Sequence, residues 1–186
     1  MRKLIFSLFI ISGLFAQMTV QAGLNMGDMR WGEDATEPDG KGMRLGGALA
    51  VHYPLGPVVA NAGFTQRGMT ASDGDITWAF DYLTFGFSFP YSISEGVLVS
   101  AGLGVNYLLS ANAKFSGDFD GMEDEDLSET SASLDYGLEL GLGYYFTENM
   151  GLGLEYYYGL ADINEDTTEG YEAMNSGIQL SFLYGL

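Results

Sequence analysis

The sequence predicts an all-β fold, an eight-stranded antiparallel up-and-down transmembrane β-barrel, and three observations carry that expectation. Large apolar or aromatic residues alternate with small or polar ones along run after run, the period-two signature of strands with two unlike faces. The second face is mostly Gly, Ala and Ser rather than charged residues, so it is no ordinary water-facing surface. The connections alternate in length, and the long ones are acidic.

Composition narrows the class. The chain has 186 residues, enough for one domain, with 27 Gly, 14% aromatic and 17% charged residues. Its net charge is -18 because Lys and Arg total only 7, so no nucleic-acid partner is expected. Cysteine is absent, which removes disulfides and the acylated cysteine of a lipoprotein. At the N-terminus, Arg2 and Lys3 precede the apolar run Leu4–Ala16, and Val20–Ala22 places small residues where a signal peptidase reads. The run is short for a spanning helix. The expectation is a leader over 1–22, cleaved after Ala22, and a barrel domain over 23–186.

The strands follow in order. The first is the weakly patterned Gly23–Met29. In the second, Met43, Leu45, Leu49, Val51 and Tyr53 oppose Arg44, Gly46, Ala48, Ala50 and His52. In the third, Val58, Ala60, Ala62 and Phe64 oppose Val59, Asn61, Gly63, Thr65 and Arg67. Leu83, Phe85, Phe87 and Phe89 mark the fourth against Tyr82, Thr84, Gly86 and Ser88. Ile76, Trp78 and Phe80 break its parity, which predicts a bulge near Asp81 or a strand top beyond the membrane.

The fifth runs from Val97 to Leu109 against Ser100, Gly102, Gly104, Asn106 and Ser110. The sixth sets Leu134, Tyr136, Leu138, Leu140, Leu142, Tyr144 and Phe146 against Asp135, Gly137, Glu139, Gly141 and Gly143. The seventh sets Leu152, Leu154, Tyr156, Tyr158 and Leu160 against Gly153, Glu155, Tyr157 and Gly159, and the eighth sets Ile178, Leu180, Phe182 and Tyr184 against Gly177, Gln179 and Ser181. Short turns are expected at Pro54–Pro57, Pro90–Gly96 and Thr147–Asn149. Longer acidic loops are expected at 32–42, 70–75, 115–129 and 162–172.

The bulky face cannot point inward, because an eight-stranded barrel is only wide enough for a limited filling of side chains. Large groups therefore face lipid, and small or polar groups fill a narrow lumen. Tyr53, Phe89, Tyr144, Phe146 and Tyr184 form one aromatic girdle near the short turns. Phe64, Tyr107, Tyr136, Tyr156 and Tyr158 form the other near the long loops.

Five segments carry a resemblance: "GLNMG" from Gly23, "FTQRG" from Phe64, "DYLTFGFSF" from Asp81, "DYGLELGLGY" from Asp135 and "LGLEYYYGLADI" from Leu152. From about Gly23 onward the chain resembles the small outer-membrane β-barrels of the PorT-like group of diderm bacteria, architecturally like OmpX and the OmpA membrane domain. The resemblance implies residence in the outer membrane, lipid as the surrounding partner and insertion by the outer-membrane assembly machinery. Such barrels often end in an aromatic residue. This chain ends in Leu186, with Phe182 and Tyr184 at the expected parity.

Lumen-facing charges are the candidate site. Arg44 and Arg67 stand across from Asp135, Glu139 and Glu155, which predicts an internal ion-pair network, hydrogen-bonded by Asn61, Asn106, Tyr157 and Gln179, that plugs the lumen. The alternative is a gated polar pore. Asp118, Asp120, Glu123, Asp124 and Asp126 supply oxygen atoms suited to calcium, but their spacing is wrong for an EF-hand, and a solvated surface loop is the expected reading. His52 lies near the short turns, away from where outer-membrane enzymes place their histidine. No catalytic residue, cofactor or metal site is expected. The function expected is a structural or surface-interaction role that offers acidic loops to solvent or a partner. The alternatives are a small-solute channel or transport or secretion component, and a soluble ligand-binding barrel; an enzyme ranks last.

Overall fold

A computed structural model describes residues 18–33, 35–164 and 172–186. Residues 1–17, most of the expected leader, and part of the last acidic loop lie outside the described residues. The strands are β1 (Thr19–Trp31), β2 (Gly42–Leu55), β3 (Val58–Ala71), β4 (Ile76–Ser94), β5 (Val97–Phe115), β6 (Glu125–Asp126), β7 (Leu134–Tyr145), β8 (Met150–Gly159) and β9 (Ala173–Gly185). All but β6 form the wall. Each pairs antiparallel with both neighbours, and β1 against β9 closes the ring from Thr19↔Gly185 to Trp31↔Ala173. A sheet immersed in hydrocarbon needs this closure, since a free edge would leave peptide groups unpaired.

Side-chain parity holds as predicted except at Ser110, above a bulge in β5. Leu24, Phe87, Leu103, Leu140 and Leu180 on five different strands are all more than half exposed on the outer face. A continuous apolar band of this kind is a lipid-facing surface, not a water-facing one. Phe89, Tyr107, Tyr136, Tyr144, Phe146, Tyr156, Tyr158 and Tyr184 are exposed on the same face, while Tyr53 and Phe64 are half-buried.

Several boundaries differ from the sequence reading. β1 begins at Thr19 rather than Gly23, so residues assigned to the leader are paired in the wall. The connection after β3 shrinks to Ser72–Asp75, because Thr70 and Ala71 stay paired with Thr77 and Ile76. Pro90 to Ser94 are strand, which leaves Glu95–Gly96 as a two-residue turn. Gly96 sits at φ +73, where a Cβ would be strained, and Gly56 does the same at φ +70 in the Gly56–Pro57 turn. At 19 residues each, β4 and β5 are longer than a bilayer requires and project at the long-loop end.

The bulge expected near Asp81 is present, but the extra residue belongs to β5. Asp81 pairs with Ser110 and Tyr82 with Leu108, leaving Leu109 unmatched. Ser110, expected in the lumen, is turned so that its hydroxyl donates to Asp81 Oδ2 at 3.4 Å, and Gln66 Nε2 donates to Oδ1 at 3.1 Å. Phe80 keeps the inward parity of Tyr82, and Trp78 packs beside it against the barrel's interior cluster.

Leu140→Arg puts a charge on the lipid face and should cost about 2–4 kcal/mol if it lies near the midplane. Denaturant unfolding in lipid vesicles measures this, and an unchanged midpoint would contradict the outward placement.

Candidate functional site: the filled lumen

The lumen is packed in tiers. At the long-loop end Met29, Met69, Phe80, Tyr82, Leu108 and Ile163 form a buried apolar cluster, with Trp31, Trp78 and Leu127 against it. Trp31 meets Trp78 edge-on with ring centroids 6.4 Å apart. Two members come from loops rather than the wall. Leu127 N–H donates to Ala111 O at 2.9 Å, Ile163 N–H donates to Ala173 O at 2.8 Å, and Ala132 N–H donates to Ile163 O at 2.8 Å. The long loops therefore fold inward over the mouth, and backbone hydrogen bonds pin them there.

Below this cap lies a polar tier centred on Asp135, whose side chain is fully buried. Its carboxylate accepts from Tyr157 Oη at 2.8 Å, Asn175 Nδ2 at 3.1 Å, Asn106 Nδ2 at 3.3 Å and Arg67 Nη1 at 3.4 Å. The Arg67 guanidinium also lies 3.6 Å from the centroid of the Tyr157 ring, and Asn175 Nδ2 donates to Tyr82 Oη at 2.9 Å. A carboxylate moved out of water is tolerated when its lone pairs are met and a cation stands beside it. The arrangement meets both conditions.

The structure brings together only part of the predicted ion-pair network. Arg67 and Asp135 form the pair. Arg44 does not reach a carboxylate; it donates to the Arg67 backbone carbonyl. The cause is local. Between Met43↔Met69 and Ala48↔Thr65, β2 carries one residue more than β3, and Gly68 sits at φ +128 beside the Arg44 side chain.

Glu139 and Glu155 have no cation within salt-bridge distance among the described residues. Glu155 is met by amides instead: Gln21 Nε2 donates to it at 2.5 Å and Gln179 Nε2 at 3.2 Å. Glu139 packs over Gly104, and Asn61 over Gly86, where no Cβ stands in their way. These groups line a cavity of about 50 Å³ with Thr65 and Arg67, room for a few waters only. Beneath it, toward the short turns, a vestibule of about 200 Å³ is lined by Thr19, His52, Pro90, Leu98 and Leu183, with Glu155 at its inner end.

Sequence reading missed Gln21, Asn175 and the apolar cap. Asn175 shares the parity of Gln179 and Ser181, so extending the last strand upward would have found it. Gln21 was hidden by its assignment to the leader.

The acidic loop residues are spread apart, and among the described residues no three carboxylate or imidazole groups converge as metal ligands. Asp124 Oδ1 accepts Phe115 N–H at 3.4 Å. Ser128, through its hydroxyl and then its backbone N–H, holds the Asp126 carboxyl below the usual carboxylate range.

Arg67→Ala leaves Asp135 buried without its cation and should lower unfolding free energy by about 3–5 kcal/mol. Arg44→Ala, which removes only a bond to a backbone carbonyl, should cost less, about 1.5–3 kcal/mol. Thermal and denaturant unfolding of the two variants side by side checks the order, and equal losses would contradict the assignment.

Comparisons with known proteins agree with this architecture. Among solved structures, the fold is similar to Neisserial surface protein A at a TM-score of 0.64 and 13% identity, covering 91% of this chain and 97% of that one. It is also similar to the outer membrane protein OprG from Pseudomonas aeruginosa at a TM-score of 0.51 and 14% identity, covering 90% and 94%. No curated protein sequence matches the chain. The profile of the outer membrane protein beta-barrel domain family matches residues 7–165. The chain belongs to that family, an integral β-barrel of the outer membrane of a Gram-negative-type bacterium.

Proposed function

We propose that this barrel is a sealed outer-membrane protein with a structural or surface-interaction role, and that its acidic loops form the face it offers to solvent or to a partner. The observation that carries the reading is the apolar cap. Met69 and Tyr82 from the wall and Ile163 from a loop are each no more than 1% exposed at the outer mouth, directly above the Asp135 tier. An eight-stranded barrel has no interior width to spare once such side chains are placed.

The loops also support a presenting role, since they are tied to one another. Ser116 N–H donates to Asp75 O at 2.8 Å, Asp118 N–H donates to Asp75 Oδ2 at 3.1 Å, and Ser72 N–H donates to Asp39 O at 2.8 Å. Rigid loops lose little conformational entropy when a partner binds.

A second reading, a small-solute channel or a transport or secretion component, draws on the vestibule of about 200 Å³ at the short-turn end. Planar-bilayer recording separates the two. The sealed barrel gives no steady single-channel current, and Arg67→Ala lowers melting without opening one. Steady unitary currents from the natural chain would replace the first reading with the second.

A further inference from the structure

We propose that the leader is removed between Ala16 and Gln17, so that Thr19–Ala22 remain in the mature wall. Those four residues are paired on both sides. Thr19, Val20, Gln21 and Ala22 face His52, Val51, Ala50 and Leu49 of β2, and Gly185, Tyr184, Leu183 and Phe182 of β9. Leu186 N–H reaches one residue further, donating to Met18 O at 2.9 Å.

A chain cut after Ala22 would open the seam between β2 and β9 over this stretch. The exposed peptide groups would lie at the level of Tyr53 and Tyr184, within the aromatic girdle at the membrane. Unpaired peptide groups there are costly, and an open edge invites pairing with another chain.

The side chains make the same case independently. Gln21 is 2% exposed; its Nε2 donates to Glu155 Oε2 at 2.5 Å and to Ser181 Oγ at 2.8 Å, and its Oε1 accepts from His52 Nε2 at 2.5 Å. Without it, Glu155 keeps Gln179 as its remaining amide donor in the lumen. Parity is continuous as well: Ala22, Leu24 and Met26 are exposed on the outer face, whereas Gln21 and Asn25 are buried in the lumen.

Upstream of Thr19 the apolar run Leu4–Ala16 ends on the small residue Ala16. Of the small-residue pattern that a membrane-bound leader peptidase reads, Ala16 supplies the last position, with Leu14 two residues before it. The step is hydrolysis of the Ala16–Gln17 amide by water. The hydroxyl goes to the Ala16 carbonyl carbon, the C–N bond breaks, and Gln17 leaves as the new α-amine.

Intact mass of the protein extracted from outer membranes tests this. The expected mature chain begins at Gln17, with or without loss of one ammonia by cyclisation of the Gln17 side chain; a chain beginning at Gly23 would overturn the proposal. Paired variants add a second readout. Ala16→Trp should accumulate precursor, whereas Ala22→Trp, on the lipid-facing side, should be processed like the natural chain. The reverse pattern would also overturn it.

Discussion

Hydrocarbon offers no hydrogen-bond partner to a peptide group, and this requirement organises the molecule. A sheet in such a solvent must pair every backbone N–H and C=O, so the chain returns its last strand to its first and pairs them from Thr19 to Trp31. Closure with eight long strands fixes a narrow interior. The narrow interior in turn forces the alternation of Leu, Phe and Tyr outside with Gly, Ala, Ser and a few ionised groups inside.

That second constraint explains the chemistry of the lumen. A carboxylate in so confined a space must find partners or take up a proton and become neutral, and Asp135 finds four donors on β3, β5, β8 and β9. The network therefore cross-links the barrel through its middle, tying strands that are not neighbours in the wall. Above it the loops contribute Leu127 and Ile163, so packing rather than charge closes the outer mouth. A vestibule leads inward from the short-turn end as far as Glu155. The electrostatics are thus asymmetric: the Arg67–Asp135 pair lies beneath the cap, and nearer the short turns Glu139 and Glu155 are met by amide groups.

Much of this was legible in the residues. Strict period-two patterning, such as Leu134 to Phe146, placed the strands and their lipid faces, because burial on one side and lipid on the other leave no freedom of register. Arg67 and Asp135 were legible as lumen-facing members of one ion-pair network for the same reason, but not which carboxylate Arg67 would meet. Arg44 was not, since a one-residue bulge redirected it, and a bulge changes local geometry without changing composition. The inward placement of Trp78 and Phe80 was equally hidden: an apolar side chain is acceptable both to lipid and to a buried mouth, so its chemistry does not choose between them. Asn175 and Gln21 lay at strand ends, where pattern gives way to pairing that only the folded ring specifies.

The central claim is the orientation of the two faces, and β9 tests it most directly because Ile178 to Tyr184 contains no glycine and the chain contains no cysteine. Single cysteines at each of these positions, spin-labelled in lipid vesicles, can be measured for collision with oxygen dissolved in the bilayer. The account predicts high oxygen accessibility at Leu180 and Phe182 and low accessibility at Gln179, Ser181 and Leu183. Reversed alternation, or none, would contradict it.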